Sequence, residues 1–120
     1  ATWGGVGYSE FHHSLATGNL IDSSTFDDGF SIVNRRQEST GAGHTGTENV
    51  IWNVGGKGLV RSMQWGVGYV IGTRDVEVAT REVFIAEGTE PFDVVEALDA
   101  GATLEPQSLY ADMLRRRLGR

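Results

Sequence analysis

Residues 34–53, Asn34-Arg35-Arg36-Gln37-Glu38-Ser39-Thr40-Gly41-Ala42-Gly43-His44-Thr45-Gly46-Thr47-Glu48-Asn49-Val50-Ile51-Trp52-Asn53, bring two guanidiniums, a carboxylate and an imidazole into one glycine-rich segment between strand-like runs. A guanidinium can hold a carboxylate in a fork, and an imidazole exchanges protons near neutral pH. Such groups are commonly displayed on a loop by a rigid scaffold. His12 and His13 lie upstream. Together these residue types could hold an anionic group and move a proton: Arg35 or Arg36 would hold a carboxylate, and His44, His13 or His12 would serve as base or acid. Tyr8 and Tyr69 offer phenolic protons. The ordinary alternatives stand beside this reading, because an arginine next to a turn is commonly solvated and paired histidines often cap backbone groups.

Asp22, Asp27 and Asp28 support a rival chemistry. A pair of carboxylates can act as acid and base, and the same groups could hold calcium, although nothing in the sequence requires a cofactor. Asp27-Asp28-Gly29 is also a good turn sequence, and the turn is the favoured reading. Trp3, Trp52 and Trp65 could stack on sugar rings or pack with their N–H satisfied. Trp52 alternates with Ile51, and Ile51 is expected to face inward. Gly55-Gly56-Lys57-Gly58 lacks the phosphate-loop pattern, and no serine sits in a nucleophile elbow.

These groups need a scaffold, and the composition bounds it. At 120 residues the chain makes one domain at most. Its beginning at Ala1 suggests a processed or excised segment, and no run is long enough to span a bilayer. A net charge of -6 argues against general nucleic-acid binding. Yet Arg35, Arg36, Lys57, Arg61, Arg74 and Arg81 gather mid-chain, so a local cationic face for an anionic ligand is compatible with the acidic total. With no cysteine there is neither a disulfide framework nor a thiolate metal site.

The 17 glycines separate short β-rich runs at residues 19–21, 30–33, 49–52, 58–60, 68–71, 76–78 and 83–85. Helical periodicity is missing from the first hundred residues, which leaves a mainly β chain. Asn49-Val50-Ile51 and Tyr69-Val70-Ile71 are about twenty residues apart, one coil of a stacked solenoid, and Asn19-Leu20-Ile21 lies one longer coil earlier. The extra length fits a loop insertion at about 35–48. Periodicity alone leaves an antiparallel sandwich open. Residues 104–120 read as a helix with proline near its first turn, arginines late and glycine at its end, covering the last coil with Leu109, Met113, Leu114 and Leu118.

Glu10-Phe11-His12-His13-Ser14-Leu15-Ala16-Thr17-Gly18-Asn19-Leu20-Ile21-Asp22, the Asn34-Arg35 step, Gly43-His44-Thr45-Gly46-Thr47, Trp65-Gly66-Val67-Gly68-Tyr69-Val70-Ile71-Gly72 and Leu104-Glu105-Pro106-Gln107-Ser108-Leu109-Tyr110 carry a resemblance. The chain resembles the C-terminal part of secreted bacterial proteins of the pectate-lyase-like superfamily. That resemblance implies an all-β, right-handed parallel β-helix, with the last coils in 1–103 and a C-terminal capping helix in 104–120. It implies secretion or a periplasmic location and a polysaccharide partner, without nucleic acid or membrane. The implied activity is a lyase on an acidic, uronate-containing glycan, with His44, His13, Arg35 and Arg36 catalytic and His12, Tyr69, Trp65 and Arg61 binding substrate. A glycoside hydrolase, a carbohydrate-binding surface and a structural cap are the alternatives. The order Asp27-Asp28, Gly43-His44, Arg61 also partly resembles polygalacturonase-like hydrolases, but Ser62 and Met63 replace the lysine after the arginine, and the glycine after the histidine is displaced to Gly46. As a set of last coils, the chain would need missing N-terminal coils or an oligomer partner to cover its open end.

Overall fold

A computed structural model describes residues 9–11, 15–81 and 92–120. In chain order the strands are β1 (Ser9–Phe11), β2 (Ala16–Thr17), β3 (Leu20–Asp22), β4 (Thr25–Phe26), β5 (Gly29–Val33), β6 (Gly46–Thr47), β7 (Val50–Gly56), β8 (Leu59–Met63), β9 (Tyr69–Arg74), β10 (Glu77–Ala79) and β11 (Val94–Glu96). The helices are α1 (Glu38–Gly41), a 3-10 turn at Gly101–Thr103, and α2 (Leu109–Arg117). One sheet runs β1-β5-β8-β10, a second β11-β9-β7-β3 with β4 also on β7, and β2 pairs β6. Every strand pair is parallel. Apart from β3 and β4, which both pair β7, the chain crosses from sheet to sheet between strands instead of folding back in hairpins. The antiparallel sandwich left open by spacing is not the arrangement found. The chain is mostly β, with parallel sheets and one C-terminal helix.

Register stacks like on like. Ile21, Ile51, Val70 and Val95 align across the second sheet, and Phe30, Val60 and Val78 across the first. Their inward faces form one core, in which Phe30 stacks on Phe26 at 5.3 Å and meets the edge of Phe11 at 5.4 Å. Each buried aliphatic stabilises by about 1.5–3 kcal/mol. Ile51 is fully buried, as its alternation with the half-exposed Trp52 requires. The runs expected at 19–21, 30–33, 49–52, 58–60, 68–71 and 76–78 all fall on strands, whereas 83–85 lies outside the described residues.

Two columns of non-core residues mark the start of the second sheet's strands and a corner along them. Asn19, Asn49, Gly68 and Asp93 each precede a strand of the second sheet. At Gly68 a Cβ would lie 2.0 Å from Nε2 of Gln64, so the Gln64 side chain occupies the space that a side chain there would need. Gln64 Oε1 accepts from the Asn49 N–H at 2.8 Å and from Asn49 Nδ2 at 3.0 Å, and Asn49 Oδ1 accepts from Asn19 Nδ2 at 2.9 Å. Asp93 accepts from Ser62 Oγ and from the Gln64 and Gly68 N–H groups. Buried polar groups are thus satisfied from one strand layer to the next. Further along, Ser23, Asn53, Gly72 and Ala97 form the second column with φ of 51°, 50°, 76° and 55°, Ser23 and Ala97 just after β3 and β11, Asn53 and Gly72 within β7 and β9. The left-handed conformation makes a corner there once per layer, and β7 and β9 continue beyond it in the same sheet, with Val54 on Thr73 and Gly55 on Arg74.

The tail departs from the expected helix over 104–120. Residues 104–108 form an extended strap across the left-handed corner, and α2 begins only at Leu109. Leu104 packs over Gly72, where a Cβ would lie 2.5 Å from Leu104 Cδ2. The Gln107 carbonyl accepts from Asn53 Nδ2 at 2.9 Å and from Ser23 Oγ at 3.1 Å, and the Pro106 carbonyl accepts from Trp52 Nε1 at 3.0 Å. Ser108 caps α2 by accepting from the Ala111 N–H, while Asp22 accepts from Ser108 Oγ at 2.6 Å and the Tyr110 N–H at 3.0 Å. The strap therefore runs from β9 back to β3, and α2 begins beside β3 and not over β11. The cause is polar: Asp22 supplies the negative charge favoured at a helix N-terminus.

Candidate functional site

The His44 loop arises where two layers turn the same corner with different amounts of chain. Val33 and Met63 are in register, and the Trp65 N–H donates to the Gly46 carbonyl at 2.8 Å. Between these points one layer spends residues 34–45 and the next only Gln64. The longer excursion closes on itself: Arg36 and Gly43 exchange both backbone hydrogen bonds, at 2.8 and 2.6 Å, with α1 at the tip.

Asn34, fully buried, ties the base of the loop. Its Oδ1 accepts from the Thr45 N–H at 2.9 Å, and its Nδ2 lies 3.3 Å from His44 Nδ1. Because the Thr45 N–H can only donate, the amide orientation is fixed and Nδ2 donates to Nδ1. The neutral imidazole then carries its proton on Nε2. Thr45 Oγ1 accepts from the Arg35 N–H at 3.0 Å and donates to the Val33 carbonyl at 3.1 Å. The exposed His44 ring stacks on Trp65 at 4.3 Å and 28°, and Trp65 is itself 45% exposed. Thr47 Oγ1 donates to the Trp65 carbonyl and holds that backbone.

The guanidinium of Arg35 pairs with Glu10 at 2.8 Å, and its Nε is buried without a hydrogen-bond partner. Arg35, His44 and Trp65 therefore gather around the Asn34–Thr45 knot. Arg36 opens the hairpin, exposed and with φ of 52°. Arg61 stands on β8 in register with Ser31, and Tyr69, 37% exposed, begins β9 on the other sheet. Asp27 and Asp28 form the bend before β5, at the opposite end of that strand from the His44 loop. Gly58 packs closely on the Asp28 carbonyl, which fits the turn reading of this pair. Asp22 is committed to α2. His12, His13, Tyr8 and Trp3 lie outside the described residues.

Sequence reasoning missed Asn34 as the residue that orients His44, Glu10 as the partner of Arg35, and the buried pair Gln64 and Asp93. Asparagine before a loop carries no signal for the partner across it. Among the described residues no three His, Asp or Glu side chains are placed to hold a metal ion, and no helix is long and apolar enough to cross a membrane. In chemical terms the corner offers a flat aromatic surface, an outward N–H donor on His44 and a guanidinium beside a carboxylate. No protein-family model, curated protein or solved structure matches this chain.

Proposed function

We propose that the chain is a section of a right-handed parallel β-helix whose His44–Trp65 corner contacts polysaccharide, and that this contact is binding and not bond cleavage. Parallel ladders between layers, buried polar columns and a repeated left-handed corner support the β-helix reading. The exposed His44–Trp65 stack, held from beneath by Asn34, carries the binding reading. A sugar presents an apolar face to an aromatic ring and hydroxyls to flanking donors and acceptors. Cleavage is less well served by these residues: Nδ1 of His44 is engaged by Asn34, and the charge of Arg35 is matched by Glu10. A polysaccharide ligand accords with the secreted or periplasmic setting that the resemblance implies.

Affinity electrophoresis and calorimetry on a panel of neutral and uronate-containing polysaccharides test this reading. Trp65→Ala should weaken binding about tenfold, with little change in melting because the ring is half exposed. Unaltered affinity in that variant, or no binding across the panel, would remove the support.

Elimination from an acidic glycan is a second reading, favoured by the partnerless Nε of Arg35 beside the imidazole loop. It requires reducing ends and unsaturated-uronate absorbance to rise together and to vanish in His44→Ala. Reducing ends alone would point to hydrolysis.

A further inference from the structure

Given the glycan reading of the His44–Trp65 corner, on which this rests, we infer that Asp93 is its positioning residue. The Asp93 carboxyl group clamps both ends of the turn that presents Trp65, so that its ionisation loosens the turn and weakens the polysaccharide contact.

Trp65 stands in the turn 64–68 between β8 and β9. Toward the preceding layer, the Trp65 N–H donates to the Gly46 carbonyl at 2.8 Å, the Glu48 N–H donates to the Val67 carbonyl at 3.0 Å, and Thr47 Oγ1 donates to the Trp65 carbonyl. On the other side one carboxyl group takes both ends of the turn. Oδ1 of Asp93 accepts from the Gly68 N–H at 3.0 Å, and Oδ2 accepts from the Gln64 N–H at 3.2 Å. Ser62 Oγ donates to Oδ2 at 2.5 Å and accepts from Gln64 Nε2 at 3.1 Å. Asp93 is buried, and Trp65 is half exposed. A buried ionisable group is thus tied through two backbone N–H groups to an exposed aromatic surface.

No cation pairs with Asp93 among the described residues. The side chains that face it are Ser62 and Gln64 from the end of β8 and, through Gln64, Asn49 and Asn19 of the same column, none of which ionises. Tyr69 and Glu96 alternate to the outward face of β9 and β11, and Glu48 and His44 are exposed on the layer before the turn. Burial accordingly pushes Asp93 above the ordinary aspartate value, outweighing the hydrogen bonds from Ser62, Gly68 and Gln64. The closed turn favours the neutral acid, whose proton on Oδ2 can be donated to Ser62 Oγ while Oδ1 keeps the Gly68 N–H. Ionisation leaves an unpaired charge inside the fold, and opening the turn to water relieves it. The clamp is therefore full below about pH 4 and is lost as pH rises through the raised value. Reciprocally, a ligand that needs the closed turn favours proton uptake.

Amide hydrogen exchange of the full chain, corrected for its intrinsic pH dependence, is followed at Gln64 and Gly68 from about pH 4 to about pH 8. Protection there should fall at least about fivefold, more than at amides of β7, and Asp93→Asn should abolish the fall because its side chain stays neutral and can donate to Ser62. Affinity for the tightest-binding polysaccharide of the panel should fall in parallel. Calorimetry in buffers of different ionisation enthalpy should register proton uptake on binding in the wild type and none in Asp93→Asn. Protection at Gln64 and Gly68 that ignores pH in the wild type overturns the inference, whether or not the variant folds or a glycan binds. An equal fall across β7 marks a loss of overall stability and also overturns it. So does a binding profile that survives Asp93→Asn and is lost in His44→Gln, which would assign the titration to the imidazole. No binding at any pH, with pH-dependent protection confined to the turn, would overturn the glycan reading and uphold the clamp.

Discussion

Replacing Asp22 by alanine should release the C-terminal strap and leave both sheets folded. The carboxylate accepts from Ser108 Oγ at 2.6 Å, the Tyr110 N–H at 3.0 Å, the Leu109 N–H at 3.3 Å and Ser23 Oγ at 3.1 Å. Hydrogen bonds to a charged group contribute about 1.5–3 kcal/mol each when sheltered, but this carboxylate is only partly covered and solvent screens it. We therefore expect a loss of about 2 kcal/mol in tail docking. Hydrogen exchange at the Tyr110 and Leu109 amides should accelerate about thirtyfold, while amides of β7 and β9 keep their protection. Partial burial alone would raise the carboxyl, yet the donors from Ser108, Tyr110, Ser23 and Leu109 outweigh it and hold Asp22 below the ordinary aspartate value. Its contribution is present above about pH 4 and is lost as pH falls through the lowered value. Wild-type tail protection should fall in that acidic window, and Asp22→Asn should show no such fall. Unchanged exchange in Asp22→Ala, or loss of protection spread evenly over the sheets, would refute a local latch.

Three further outcomes follow from the columns. Gln64→Leu strands the Asn49 backbone N–H inside the fold and should cost about 2–3 kcal/mol, read from urea unfolding midpoints. Gly72→Ala should cost about 1–2 kcal/mol, because its φ of 76° disfavours a side chain and Leu104 occupies the space; a neutral result in thermal melts would contradict the strap contact. Burial pushes Asp93 up, against hydrogen bonds from Ser62, Gly68 and Gln64 that pull it down. Its share of stability is therefore full below the ordinary aspartate value of about 4 and is lost as pH rises through the raised value. Melting temperature should decline over that window, and Asp93→Asn should flatten the decline.

The layered pattern was legible because repeats with a common period place β-branched residues in register. Asn19-Leu20-Ile21 and Asn49-Val50-Ile51 fall side by side, whereas Tyr69-Val70-Ile71 is displaced by one residue, with Tyr69 on Val50 and Val70 on Ile51. The strand Val94–Glu96 was not anticipated, since three residues preceded by Asp93 and ending in Glu96 carry no alternation that separates a strand from a loop. The tail pattern correctly marked a helix, but Pro106 lies in the extended strap. Nothing local reveals that Asp22, many residues upstream, supplies the charge that starts the helix. At the site, glycine richness located the loop and the types Arg35 and His44 drew attention to it. That His44 is held by Asn34 and backed by Trp65, and that Arg35 is matched by Glu10, are long-range facts fixed by the stacking of layers.

The hairpin bridge between Arg36 and Gly43 has an implication for engineering. The base of the excursion is closed by its own backbone pair and by the buried Asn34–Thr45 clasp, so the tip at 37–42 branches from the ladders beyond a fixed neck. A foreign peptide spliced between those positions would inherit a rigid pedestal beside the His44–Trp65 surface without shifting strand register. The scaffold can therefore serve as a display frame in which the guest sequence changes while its mounting stays constant.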